Sequence, residues 1–449
     1  MAIVDPGRLE ALHAAELGRF TARTRRSAQL LERGRHSMIK GVPMPWMWGL
    51  YRHPPIFAAR GSGACFVDVD GNTYLDFNVV DLAMTMGFGD GPIAEAVHEA
   101  MQRGAHFLLP VEEALCVSEL LAERTGVPFW QFTLSASGAN TEVIRIARSL
   151  TGREKIVVFR GHYHGHVDDT LVDEEPGRLQ PAVMGLPRGT EHRLIIVPFN
   201  DLAALEAALD PQDVALVLSE PALSNCTLVH PEPGYLAAVY AACQRSGTLF
   251  CLDEAHTFQF AYGGLKREWD LACDFLVLGK GLGTGVSFGL YGMSQAVAQG
   301  VEARTARDLG EPGIAAGGTT YASTIAVLAA RAALEKVLTP ASYERVQALG
   351  KRLASGLDAL FNALGLPWRA QHLGPRSGFC LFPQLPRNGT EALRSVQIGF
   401  IAARKLWMAN RGVWDAMPTA GPQVSFVHTA DDVDTYLRTV RPFLEAIIR

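Results

Sequence analysis

The chain has 449 residues, 48% of them hydrophobic and 19% charged, with a formal net charge of −5. That balance is ordinary for a folded globular protein of about two or three domains; it offers no basic face for nucleic acid or an anionic membrane, so the expected partner is a small molecule. Seven cysteines, never spaced C-x-x-C, and the absence of any signal-like or membrane-length apolar run lead to the expectation of a cytoplasmic protein with reduced thiols.

In chain order, the first forty residues are arginine-rich with an apolar face at Leu9, Leu12, Leu17 and Phe20, which predicts one or two surface helices. Residues 43–48, Pro-Met-Pro-Trp-Met-Trp, break that pattern and read as an unusually aromatic loop. Two alternating runs, 64–69 and 72–76, flank Asp70-Gly71 and predict a hairpin. Apolar strands then alternate with helices at 129–134, 156–159, 194–197, 214–218, 249–252 and 275–278, which predicts a mainly parallel sheet covered on both faces. Residues 168–193, rich in proline and glycine, read as a long loop able to act as a lid. After Glu335 longer helices are predicted over 343–364 and 391–410, with a few strands such as 379–382. The expected division is an N-terminal segment of helices and hairpin over 1–94, associated with the small domain and a dimer arm, a large α/β domain over 95–335, and a small α+β domain over 336–449.

Ligands of such sheets sit at the carboxyl ends of the strands, and Ser135, the histidines at 162 and 164, Glu220, Asp253 and Lys280 all fall there. Lys280 follows the apolar run 275–278 inside Gly279-Lys280-Gly281-Leu282-Gly283. An amine withdrawn from water at that point suits a Schiff-base nucleophile, and a surface lysine at a strand end is the plainer alternative. Asp253 should share its sheet edge. A lysine that holds an aldehyde as an imine and a carboxylate that keeps a pyridine nitrogen protonated are what pyridoxal phosphate requires; a helix N-cap is the competing role for Asp253. Ser135-Ala136-Ser137-Gly138 opens a helix and supplies N–H groups and two hydroxyls to a phosphate, or merely caps the helix. Tyr163 is placed to stack on a flat heterocycle. His162, His164 and His166 lack companions at zinc-ligand spacing, so they read as polar loop histidines and no metal is expected. The glycines around Lys280 do not fit a Walker loop, because Gly281 stands where serine or threonine belongs.

These residues, together with Val67-Asp68-Val69-Asp70-Gly71-Asn72, Tyr163-His164-Gly165-His166, Glu220-Pro221, Leu252-Asp253-Glu254, Leu278-Gly279-Lys280-Gly281, Gly318-Thr319-Thr320 and Phe426-Val427-His428-Thr429, occur in one order along the chain. In them the chain resembles the class III, fold-type I pyridoxal-phosphate aminotransferases, in the branch that contains glutamate-1-semialdehyde aminomutase, from about residue 35 onward. The resemblance implies a large domain with a mainly parallel seven-stranded sheet, a smaller α+β domain, and pyridoxal phosphate as cofactor with pyridoxamine phosphate as its aminated form. It implies that Lys280 carries the imine, Asp253 pairs with the pyridinium nitrogen, Tyr163 stacks on the ring and Ala255 packs beneath it. Ser135, Ala136 and Ser137 would form the phosphate turn, Asn225 would lie near the phenolic oxygen with Glu220 a further candidate, and Thr319 would reach the neighbouring subunit's phosphate, hence a homodimer.

Two departures stand out. Ala136 and Gly138 replace the family's usual glycine and glutamate, and the apolar stretch 43–48 replaces the aminomutase's Asn-Ser-Pro-Val-Arg. Trp46, Trp48 and Arg52 are therefore the substrate candidates, with a hydrophobic side chain expected; Arg188 and Arg376 are further possibilities for a carboxylate. The expected activity is amino transfer from an amine or amino acid to a keto acid, ketone or aldehyde. Its rivals are intramolecular transfer of the aminomutase kind and a cofactor-binding protein without turnover.

Overall fold

Val214–Ser219 is buried at all six positions without alternation, the signature of a strand covered on both faces. It lies inside a seven-stranded sheet in the order Phe129–Thr133, Gly289–Met293, Phe275–Leu278, Leu249–Asp253, Val214–Ser219, Lys155–Phe159, Leu194–Val197. Six strands run one way, and Gly289–Met293 is antiparallel to both neighbours. The computed structural model describes residues 4–448 apart from 52, 90, 176, 177, 307, 309, 418 and 420.

Gly289–Met293 is the strand that hydrophobic patterning misses, because two glycines interrupt it. Their absence of side chains is required by packing: a Cβ at Gly289 would lie 2.2 Å from the Ser135 carbonyl carbon, and one at Gly292 would meet Val127 and Trp130 at 2.7–2.9 Å. The helix Ala136–Thr151 lays Val143, Ile144, Ile146 and Ala147 on the sheet against Ile156, Val158, Leu216 and Leu218. Ser135 caps its first turn by accepting from Gly138 N, and Gly152 ends it in the left-handed conformation.

The Asp70-Gly71 hairpin is present, with Cys65–Asp68 pairing antiparallel to Thr73–Asp76. It belongs to a second sheet in which Ala58–Ser62 is added on one side and Val413–Trp414 on the other, so the first hundred residues and the C-terminal region share hydrogen bonds. The N-terminal helices Pro6–Arg23 and Arg25–Gly34 are more than surface decoration: Phe20 is fully buried against Tyr74, Leu406, Ala409 and Trp414.

Two expectations change, and one element is new. The long loop 168–193 contains an antiparallel pair, Val172–Glu175 with Arg178–Pro181, and the ion pairs Arg148–Asp169 and Arg160–Glu174 tie the region to the sheet's helix and strand. The single helix predicted over 391–410 is two, Gly389–Leu393 and Ile398–Ala409. A last helix, Ala430–Ile447, begins with a capping box between Thr429 and Asp432 and buries Val433, Tyr436, Val440, Phe443 and Leu444. Among the described residues no helix is long and apolar enough to cross a membrane.

Behind the second sheet, Arg404 Nε donates to Asp415 Oδ2 at 2.6 Å with both side chains buried, while Tyr436 and Ala416 N donate to Asp415 Oδ1. Removing one member of such a pair strands the other charge in a low-dielectric interior. Asp415→Ala should lower the unfolding free energy by about 3–5 kcal/mol in urea denaturation followed by circular dichroism; a loss below about 1 kcal/mol, the range of an exposed pair, would show that the pair is not the clamp its burial indicates.

Candidate active site

The carboxyl ends of the parallel strands border a cavity of about 330 Å³, walled by the turn Ser135-Ala136-Ser137, by Tyr163, Glu220, Asp253 and Ala255, and by Lys280. The strands carrying Asp253 and Lys280 are neighbours in register, Asp253 lying beside Val277, so sequence and topology together place the carboxylate and the amine on one edge. Lys280 is not the buried amine its apolar approach suggests. Its side chain is 22% exposed and its Nζ donates to Asp81 Oδ2 at 2.7 Å, because the strand ends at the cavity wall and the amine emerges into it.

Asp253 is enclosed. Its Oδ2 accepts from Asn140 Nδ2 at 2.7 Å and from His164 Nδ1 at 2.8 Å, and its Oδ1 accepts from Ala255 N at 3.0 Å. Burial opposes ionisation, but the His164 bond and the Asn140 amide outweigh it and hold the carboxyl below its ordinary range. Oδ1 carries a single donor and keeps acceptor capacity toward the cavity. Asp253 is therefore an ionised acceptor and does not act as a helix N-cap. His164, expected as a polar loop residue, is buried at 3% exposure and is the orienting partner of this carboxylate.

The turn at 135–137 fits a phosphate. The first N–H groups of the 16-residue helix Ala136–Thr151 have no carbonyl partner within it, and the hydroxyls of Ser135 and Ser137 accept from Gly138 N and His166 N, leaving their own O–H free to donate. Gly165 permits this closeness: a Cβ there would stand 2.1 Å from Ser137 Oγ, at a backbone φ of +83°.

Tyr163 and His256 lie parallel to within 16°, centroids 6.4 Å apart, and both line the cavity with Ala255. Glu220 Oε1 accepts from Tyr163 N and Oε2 from Ser224 N and Oγ, and Ser224 Oγ contacts His256 Nδ1 at 2.6 Å. Burial works against Glu220's charge, and His256 and Ser224 together keep its carboxyl low. Ser224, His256, Asn140 and the stretch Gly285–Phe288 at the cavity rim escaped sequence reasoning, since nothing local marks a polar residue that becomes useful through a distant partner.

Other candidates are not brought to this cavity. Asn225 Oδ1 is engaged by the Thr419 hydroxyl at 3.1 Å and does not line it. Thr319 is exposed and its carbonyl meets His106 Nε2 at 2.5 Å. Trp46 is 48% exposed, and Trp48 spends its indole N–H on the Lys40 carbonyl; the neighbouring Pro43 and Met47 border a separate apolar hollow with Ile56, Phe66, Phe88 and Trp414. Arg52 lies outside the described residues. Arg188 lines a hollow beside Arg153 and Asp213, away from the cavity, and Arg376 is buried with its guanidinium on the Ser224 carbonyl. No described arginine lines the cavity.

Comparison with known proteins agrees with the geometry. The profile of the family Aminotransferase class-III matches residues 50–364. A glutamate-1-semialdehyde-aminomutase from Pseudomonas aeruginosa, a lysine-to-alanine variant solved in complex with PMP, is 34% identical over 99% of both chains with a TM-score of 0.94. The glutamate-1-semialdehyde 2,1-aminomutase of Sorangium cellulosum is 32% identical over 399 residues, 87% of this chain and 90% of that one. An omega-transaminase from Sphaerobacter thermophilus is 28% identical, covering 94% of this chain and 97% of its own, with a TM-score of 0.84.

The held-down carboxyl of Asp253 gives a pH signature. A carboxyl whose folded pKa is depressed adds stability that is full above its ordinary value near about 4 and is lost as pH falls through the lower folded value. His164→Ala removes the bond that most favours the charged form. Its stability deficit, measured by denaturant titration across pH, should be largest near neutrality and shrink in acid, where the carboxyl is protonated in both proteins. A deficit that does not vary with pH would contradict this assignment.

Proposed function

Because the chain belongs to the class-III aminotransferases, a family of pyridoxal-phosphate enzymes, we propose that it moves an amino group between adjacent carbons of one small molecule, as a glutamate-1-semialdehyde 2,1-aminomutase does. The observation that carries amino transfer is the pairing of Lys280 and Asp253 on neighbouring strand ends, opening into one cavity with a phosphate turn. The intramolecular form draws its support from the aminomutases among the relatives, which favour it over the intermolecular transfer expected from the sequence. Intermolecular transfer stays as the second reading on a specific observation: no described arginine lines the cavity wall, which suits a donor without a carboxylate to anchor.

When bound, pyridoxal phosphate supplies an electron sink for the pair left behind as a proton leaves the substrate carbon. Lys280 Nζ would take the proton from the nitrogen-bearing substrate carbon and deliver it across that nitrogen to the cofactor's former aldehyde carbon, the work of a positioned general base and acid. Asp253, whose ionisation is secured by His164 and Asn140, would accept the pyridinium N–H and keep that proton on the ring. Ser135, Ala136 and Ser137 would hold the phosphate, and Tyr163 and Ala255, which line the same cavity, would pack against the ring. Thr319, exposed and away from its own cavity, is assigned to the neighbouring subunit's phosphate in a homodimer. Glu220 fixes Tyr163 through its backbone N–H and is a positioning residue.

The test is a spectral titration of the pyridoxal-phosphate-loaded protein with glutamate-1-semialdehyde, amino acids and simple amines, assaying released carbonyls. Isomerised product without net carbonyl release supports the aminomutase; stoichiometric carbonyl release from an external donor establishes the second reading. Lys280→Ala should lose about 10²–10⁴-fold in rate, the range for a positioned acid–base group, while keeping the cofactor. Turnover by Lys280→Ala at the wild-type rate would overturn both readings.

A further inference from the structure

Asp81, which bonds to Lys280, has no role in the chemistry above. It is delivered by an uncommon backbone. Val79, Val80, Asp81 and Leu82 have φ values of 54°, 51°, 49° and 71°, a full left-handed turn in which β-branched valines are conspicuous outliers. Two side chains pin the turn. Asp76 Oδ1 accepts from Asn78 N and Val79 N at 2.9 Å each, and Asn78 Oδ1 accepts from Asp81 N at 3.1 Å. Beyond it, Ala83 N and Met84 N return to the carbonyls of Val80 and Val79. Lys280 is itself left-handed, with φ 48°, so both members of the ion pair sit on strained backbone. Such conformations persist only where the surroundings over-determine them, and they gather at functional sites.

The carboxylate is built to stay charged in place. It lies in a largely enclosed position that disfavours ionisation, and Lys280, His256 and Arg376 around it outweigh that effect and hold its carboxyl low. Of these, Arg376 is buried and committed to the Ser224 carbonyl, and His256 to Ser224 Oγ. Lys280 is the cation that Asp81 meets directly, at 2.7 Å.

We propose that Asp81 is a positioning residue for Lys280: its carboxylate holds the lysine amine at the cavity wall whenever that amine is free to carry protons. This rests on the reading of Lys280 as the proton-moving amine and is indifferent to whether transfer is within or between molecules. The sequence gives no local sign of it, since a valine-rich left-handed turn has no turn signature and the partner is 199 positions away.

The pyridoxamine-phosphate form is the state to test, because there the cofactor is held without a covalent bond to lysine. In full-length protein labelled with ¹³C at lysine Cε and loaded with pyridoxamine phosphate, the Lys280 resonance is identified by its absence from Lys280→Ala. We expect an ordered, shifted resonance in the wild type that collapses toward the free-chain lysine position in Asp81→Asn. With L-alanine, 1-phenylethylamine and glutamate-1-semialdehyde deuterated at the reacting carbon as probes, Asp81→Asn should slow single turnover by about tenfold to a hundredfold. KM should change little and the primary isotope effect should rise, with Asp81→Glu recovering part of the rate. An unchanged Lys280 resonance overturns the proposal, and so does a raised KM with an unaltered isotope effect, which would place Asp81 on the substrate. If Asp81→Asn does not fold, Asp81→Ala carries the same resonance test. Failure of wild-type protein to bind pyridoxamine phosphate would instead refute the functional reading, and the resonance comparison would then be made on the unloaded protein.

Discussion

A carboxylate removed from water must be compensated by its surroundings, and Asp253 draws that compensation from parts of the chain far apart in sequence. Asn140 comes from the second turn of the helix that begins at Ala136, His164 from the loop that carries Tyr163, and Ala255 N from its own strand end. Hydrogen bonds to a charged group contribute about 1.5–3 kcal/mol each, while leaving the charge unpaired would cost several kcal/mol. Satisfying one buried anion therefore fixes the turn at residues 135–137, the loop carrying Tyr163 and the carboxylate relative to one another. Asn140 donates to the His164 carbonyl as well as to Asp253, so these contacts form one network.

Close approach is the second constraint. The strand Gly289–Met293 lies against the backbone of Ser135, and Gly165 lies against Ser137; neither place has room for a side chain. These glycines bring the turn at residues 135–137 close to the sheet edge, where Lys280 emerges from the strand next to Gly289–Met293. Rigid strands set Asp253 and Lys280, and the turn at Val79–Leu82 departs from low-energy backbone to bring Asp81 to Lys280.

Much of this was legible in the sequence where one residue type and one local pattern suffice. Apolar runs of four to six residues identified six of the seven sheet strands, Asp70-Gly71 identified the hairpin, and the strand-end positions of Lys280, Asp253, Tyr163 and Ser135 identified the site edge. What was missed depends on contacts between distant residues. Gly289–Met293 lacks apolar alternation because packing demands glycine. His164 and Asn140 look like loop and helix polar residues until a buried carboxylate claims them. Asp81 follows two valines in a conformation valine seldom adopts. The stretch 43–48, a substrate candidate because it replaces the aminomutase's Asn-Ser-Pro-Val-Arg, has Trp48 tied to the Lys40 carbonyl and does not line the lysine cavity. The prolines and glycines of 168–193 suggested an irregular loop, and the cross-strand pairs there form despite them.

The central claim is that Lys280, and no other lysine, bonds to the cofactor. Reducing the pyridoxal-phosphate-loaded protein with borohydride makes any such linkage permanent, and peptide mapping by mass spectrometry then locates it. One phosphopyridoxyl group per chain, on the peptide containing Gly279-Lys280-Gly281 and absent from Lys280→Ala, is the predicted result. A label on a different lysine, or no covalent label at full cofactor occupancy, would contradict the account.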